Sequence, residues 1–178
     1  LEGEGIVELL PNRGATVAAL SRADAEHAFE LMGALEGLAG ELAAQRASPA
    51  EIDEIRALHF EMLAAHTRRD LPSYYRCNRE IHRRIAACAR NPMLDHSSAR
   101  LNARLHALRF RSNLDSERWD AAVAEHGAMV DALAARDGVR LGAVLRAHLA
   151  NKRATVLAQL DAAHPVPPGA HRVRTTEE

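Results

Sequence analysis

Three histidines and one asparagine occupy positions where a helical pattern should place apolar side chains. Tyr74, Asn78, His82, Ile85 and Ala89 advance by three and four residues, the spacing of one helix face. Trp119, Val123, His126, Val130 and Leu133 repeat that spacing, and Leu141, Val144, His148 and Thr155 carry it into a third segment. Neutral imidazole is a common ligand for zinc and also suits nickel, copper and iron. Facing helices of a bundle can bring such side chains to one point. A single histidine on an apolar face is more often a hydrogen-bonded core residue. Helical phase alone therefore leaves two readings open, a metal site or a set of satisfied core histidines. The other seven of the ten histidines, His27, His59, His66, His96, His106, His164 and His171, show no such convergence. His59 and His66 read as surface or interface residues.

Catalysis is the rival use of such a cluster, since a metal with an open position can activate water. The chain has no HExxH motif. Glu125 is adjacent to His126, so it should project about 100° away around the helix, and Glu80 is similarly off the His82 face. No general base is evident. A metal-free structural dimerisation bundle is the other alternative to a metal site, and a metal-dependent hydrolase or lyase is a weaker one.

The elements that must position these residues are helices. Ser21 or Asp24 can cap a helix running to about Arg46, with Phe29, Met32, Leu35, Leu38 and Leu42 on one side. "SPAE" at Ser48–Glu51 combines a capping Ser, a Pro at the first helical position and an acidic residue three after the cap. That helix should reach about Arg68. A third is expected from near Leu71 to Ala89, and a fourth from Asn91-Pro92 to near Asn113. "LDSER" opens a fifth, ending near Arg136, and a sixth follows Asp137-Gly138 to about Ala163. Short turns predict an all-α antiparallel helical bundle.

The two ends differ. "GIVELL" and "ATVAAL" flank "PNRG", the pattern of a short β-hairpin with Arg13 and Gly14 at its tip. "HPVPPGAHRVRTTEE" has three prolines and no apolar periodicity, the mark of a flexible tail. The expected division is residues 1–20, 21–163 and 164–178. The chain starts at Leu1 without an initiator Met, so it is expected to be part of something longer.

Of the 178 residues, 47% are hydrophobic and 26% charged, as in soluble globular domains. The net charge of -1 argues against a broad nucleic-acid-binding face on these residues. No apolar run approaches the roughly 20 residues of a membrane span. Cys77 and Cys88 are the two cysteines. On one helix they would lie about 16 Å apart, too far for a disulfide, which suits a reducing cytoplasm.

The order of these motifs resembles the C-terminal ligand-binding domain, the FCD domain, of GntR-type transcription regulators of the FadR subgroup. "NREIH" stands where that family has Asp-x-x-Phe-His, and "ARNPML" where an Asn opens the next helix. "AEHGAMVDALAARD" and "VLRAHL" resemble the later Glu-His and His motifs, and "ALEGLAGELAAQRAS" the first FCD helix. "GIVELLPNRGATVAAL" is similar to the wing that closes the family's winged helix-turn-helix. The resemblance implies a divalent metal ion, zinc or nickel, held by Asn78, His82, His126 and His148. It further implies a small organic acid effector, a homodimer, and operator DNA bound through an N-terminal winged helix mostly absent from this chain. Arg13 and Gly14 would meet that DNA at its phosphate backbone or minor groove. Arg104, beside the Leu101, Leu105 and Leu108 stripe, is the candidate clamp for the acid.

Two departures carry physical weight. Asn78 replaces the family's aspartate, and a neutral amide oxygen is a weaker ligand, so the metal should be held less tightly. Met32 stands four residues before Glu36, where the family often has an arginine, so no effector contact carries over to that position.

Overall fold

A computed structural model describes residues 7–10, 14–17, 20–112 and 116–163. Strands β1 (Val7–Leu10) and β2 (Gly14–Val17) pair antiparallel, Leu10 opposite Gly14. Arg13 and the expected tail, 164–178, lie outside the described residues, as do residues 1–6.

Six helices follow: α1 (Arg22–Arg46), α2 (Pro49–Thr67), α3 (Leu71–Cys88), α4 (Pro92–Arg111), α5 (Ser116–Ala134) and α6 (Gly138–Ala163). The all-α bundle is as expected. Its starts follow local chemistry. Ser48 accepts from the Glu51 backbone N–H at 3.3 Å while the Glu51 carboxylate accepts from the Ser48 N–H at 2.8 Å, a complete capping box ahead of Pro49. Asp70 caps α3 and Asn91 caps α4, each accepting from the backbone N–H three residues on.

Helix ends use arginine in an unusual role. Arg69, Arg90 and Arg136 have φ of 58°, 49° and 57°, the left-handed region that glycine normally fills after a helix. After α2 and α5 the chain closes with paired backbone bonds, Asp70 N–H to Ala65 O and Asp137 N–H to Ala132 O among them. The arginine heads are each engaged. Arg136 donates to the carbonyls of Ala44 and Ala47, Arg90 to Glu51, and Arg69 lies over the Trp119 ring. Gly138 serves another purpose. A Cβ there would meet Glu41 O at 2.9 Å, so the glycine allows α6 to start against α1.

The main core joins α2, α3, α5 and α6 around Ile55, Met62, Tyr74, Ile81, Met129 and Leu141. A second cluster packs Phe29 and Met32 of α1 on Leu105 of α4 and Leu149 and Val156 of α6. The expected phase of α1 is only half right. Leu38 is 41% exposed, whereas Glu36, Gly37, Gly40 and Ala43 are buried. The physical reason is close helix approach. A Cβ on Gly40 would come within 2.5 Å of the Leu145 side chain, so α1 turns small residues, not its leucines, toward α6.

Candidate metal centre

Helix α3 carries Asn78 and His82, one turn apart, α5 carries His126 and α6 carries His148. All four are buried, His126 and His148 completely. The three imidazoles meet. Ring centroids of His82 and His126 are 5.2 Å apart, His82 and His148 5.1 Å, and His126 and His148 4.8 Å. One ligand atom from each lies within 4.8 Å of the others.

The His126 and His148 rings are oriented through Nδ1, and His82 Nδ1 stands beside a carboxylate. His126 Nδ1 lies 2.7 Å from the Ala122 carbonyl oxygen, which can only accept, so Nδ1 carries the proton and Nε2 keeps its lone pair. His148 Nδ1 is 2.5 Å from Glu125 Oε2, and His82 Nδ1 is 2.6 Å from Glu36 Oε2. All three Nε2 atoms are buried without a hydrogen-bond partner, as are both amide atoms of Asn78 and His82 Nδ1, which lies close to Glu36 Oε2 but out of line for a hydrogen bond. Buried polar atoms in folded proteins are almost always paired. Three imidazole nitrogens, two of them with hydrogen-bonded partners behind the ring, form a donor set that fits a divalent transition metal, and Asn78 stands one turn before His82 on the same helix.

The electrostatics favour neutral imidazoles at His126 and His148. Burial, then the charge of His82, pushes the His126 pKa well below the usual histidine value. Burial, then His126, does the same for His148. Burial alone would raise the Glu36 carboxyl. His82 and Arg109 outweigh it and hold Glu36 at about 2, an ionised carboxylate in the interior. Arg109 Nη1 reaches Glu36 Oε1 at 3.4 Å. Glu125 is gripped by both Arg118 Nη atoms, at 2.8 and 2.6 Å, and by Asn151 Nδ2 at 2.8 Å. Lys152, four residues after His148, is completely buried, and burial with Arg109 and Arg118 lowers its pKa well below the ordinary lysine value.

A cavity of about 480 Å³ opens beside this cluster between α3 and α4. Its lining includes Glu36, His82, Ser98 and Arg109, all buried, and the more exposed Asn102 and Arg79. Arg104 is not among its lining residues. Its charge acts instead on Asp24, in the first turn of α1. Arg109, one turn beyond Leu105 on α4, faces the cavity and pairs with Asn102.

Two expectations change in detail. Glu125 does not point away from the cluster. Its long side chain bends across from α5 to His148 on α6, despite the 100° offset from His126. His59 is not a surface residue but is buried against α5, where a Cβ on Gly127 would sit 3.7 Å from its ring. Glu36 and Lys152 were absent from the sequence-derived set. Lys152 was signalled by its four-residue spacing from His148, and Glu36 by its four-residue spacing from Met32 and Gly40.

The chain matches the FCD domain family over residues 16–151. An uncharacterized HTH-type transcriptional regulator of Agrobacterium vitis is 35% identical over 92 residues, covering 50% of this chain and 54% of the relative. The chain therefore spans about half the length of that curated relative. Among solved structures, E. coli McbR/YncC superposes with a TM-score of 0.81 at 17% identity, over 89% of this chain and 80% of that one. Streptococcus agalactiae GntR gives 0.63 at 17% identity, over 86% and 76%. At such identities these two likenesses concern the fold. FCD domains are regulatory modules, so the match sets the enzymatic alternative aside. The buried histidine cluster, the six-helix order and the match over most of the chain agree, and the chain belongs to the FCD domain family.

Proposed function

We propose that this chain is the effector-sensing part of a GntR-type transcription regulator of the FadR subgroup. Asn78, His82, His126 and His148 would hold a divalent cation, zinc or nickel. The observation that carries this reading is the meeting of three buried imidazoles with every Nε2 unpartnered, His126 and His148 being held through Nδ1 by an acceptor. A bound cation would act as a Lewis acid toward an anionic oxygen. The chain's own residues do the rest. Ala122 and Glu125 fix the His126 and His148 rings, and Arg109 offers a guanidinium to a carboxylate entering through the α3–α4 cavity.

Such an acid would bridge α3 and α4 near the floor of the bundle. Regulation requires that it bind one arrangement of the DNA-binding heads better than another. Those heads, the homodimer that pairs them and operator contacts by Arg13 and Gly14 belong to the same proposal. So does a cytoplasmic location. Among the described residues no helix is long and apolar enough to cross a membrane.

Metal analysis of gently purified protein tests the reading. Wild type should carry close to one equivalent of transition metal per chain and His126→Ala almost none. Equally low metal in both, before and after incubation with zinc or nickel, would leave the metal-free dimerisation bundle as the better account.

A further inference from the structure

Of the 23 lysines and arginines in the chain, Lys152 alone is a lysine. On α6 it follows Leu141, Leu145 and His148 at spacings of three and four, on the face turned into the bundle, and it is 0% exposed. An ammonium at such a position is costly, because it leaves water. Its surroundings are not ordinary core. The charge of Lys152 acts on His126, His148 and Glu36, two metal-ligand candidates and the carboxylate beside the third. Burial and the charges of Arg109 and Arg118 oppose the ammonium, while Glu125 and Glu36 favour it.

The charge count around the cluster gives Lys152 its meaning. Glu36 and Glu125 are the carboxylates beside the histidines, and each is paired with an arginine, Arg109 and Arg118. With Lys152 the same region holds three cationic side chains against those two anionic ones. Neutralising the carboxylates therefore does not require Lys152. A further positive charge raises the cost of admitting a cation, since like charges repel more strongly in the interior than in water. A divalent ion on the three Nε2 atoms would meet that repulsion, while the imidazoles and the Asn78 amide contribute no negative charge.

We infer that Lys152 sets the affinity of the metal centre. Its ammonium opposes the ion, so that the histidines take up and release metal as the supply varies. Occupancy then carries information, and the ion is itself a signal to the domain. This rests on the metal-centre reading and adds the residue that governs occupancy.

Zinc affinity, measured by competition with a chromogenic chelator, and the rate of zinc release into excess chelator test it. Lys152→Met keeps the apolar stem without the charge. It should bind zinc about tenfold more tightly, a factor equal to about 1.4 kcal/mol, and release it more slowly. Lys152→Gln, a second neutral variant, should shift affinity in the same direction. Lys152→Arg keeps the charge and should stay near wild type. Replacing a side chain that only packs would lower affinity, so a gain is specific to the charge. Equal or weaker binding in both neutral variants, or a gain in Lys152→Arg equal to theirs, would overturn the inference and leave the metal-centre reading standing. Zinc uptake by Lys152→Met but not by wild type would uphold it. No uptake by wild type or any variant would overturn both.

Discussion

The histidine cluster is braced on two sides by similar parts in different settings. On the α1–α4 side, Glu36 sits between His82 and Arg109, with side chains of Glu36 and Arg109 only 7% and 4% exposed. On the α5–α6 side, Glu125 sits between His148 and Arg118, but the Glu125 side chain is 19% exposed and Asn151 adds a further bond. Both carboxylates stand beside an imidazole Nδ1, and Glu125 is hydrogen-bonded to its ring. Only the first also lines the cavity. The difference separates two tasks that one glutamate–arginine pair can perform, holding a ligand ring in place and presenting charge to an incoming molecule.

The sharpest way to break this comparison is to remove what both sides brace. His126→Ala should abolish tight metal binding while Glu36→Gln and Glu125→Gln each weaken it by about 10- to 100-fold, the usual effect of losing a partner behind a ligand. Competition with a chromogenic chelator measures all three. Equal, negligible losses in the glutamine variants would mean that the braces do not matter to the metal.

Stability should distinguish the sides next. Arg109→Ala leaves the buried Glu36 carboxylate with His82 as its one remaining ion-pair partner among the described residues, and removing one partner of a buried pair costs about 3–5 kcal/mol. Arg118→Ala should cost less, because Glu125 keeps Asn151 and some water. Urea unfolding of the metal-free protein compares them, and a larger loss for Arg118→Ala would reverse the assignment of the tighter side.

Acid should reveal the same asymmetry. Glu36 is held at about 2 by His82 and Arg109 against burial. Its folded pKa is below its unfolded value, so its contribution is full above about pH 4.5 and is lost as pH falls toward 2. Unfolding of the metal-free protein measured across that window should be less pH-dependent in Glu36→Gln. An unchanged profile would show that Glu36 is not the ionised, buried partner described.

The smallest effects lie furthest from the cluster. Ser48→Ala removes the capping box of α2 and should cost about 1 kcal/mol without changing metal affinity. A change in metal binding there would mean that the centre responds to general loosening of the bundle.

How much of this was legible in the chain depends on what kind of side chain carries the signal. On α3 the large and polar residues alternate cleanly, so Tyr74, Asn78, His82 and Ile85 could be placed on one buried face. On α1 the packing face is made of glycine and alanine. Size-based periodicity pointed to Leu35 and Leu38, and Glu36 was passed over. Arg104 and Arg109 differ by little more than a turn on α4, and both flank apolar residues. Only the packed neighbours of α4 show which one lines the cavity.

The sequence by itself determined the helices, their caps and the phase of the three histidines, because hydrogen-bonding side chains at helix starts and three-to-four spacing act locally. The tertiary structure decided which charges stand behind those histidines. Glu36, Arg109, Arg118 and Glu125 reach the cluster from four different helices or turns of helix, across distances that no local pattern encodes. Their burial is tolerable only because each finds its opposite charge there.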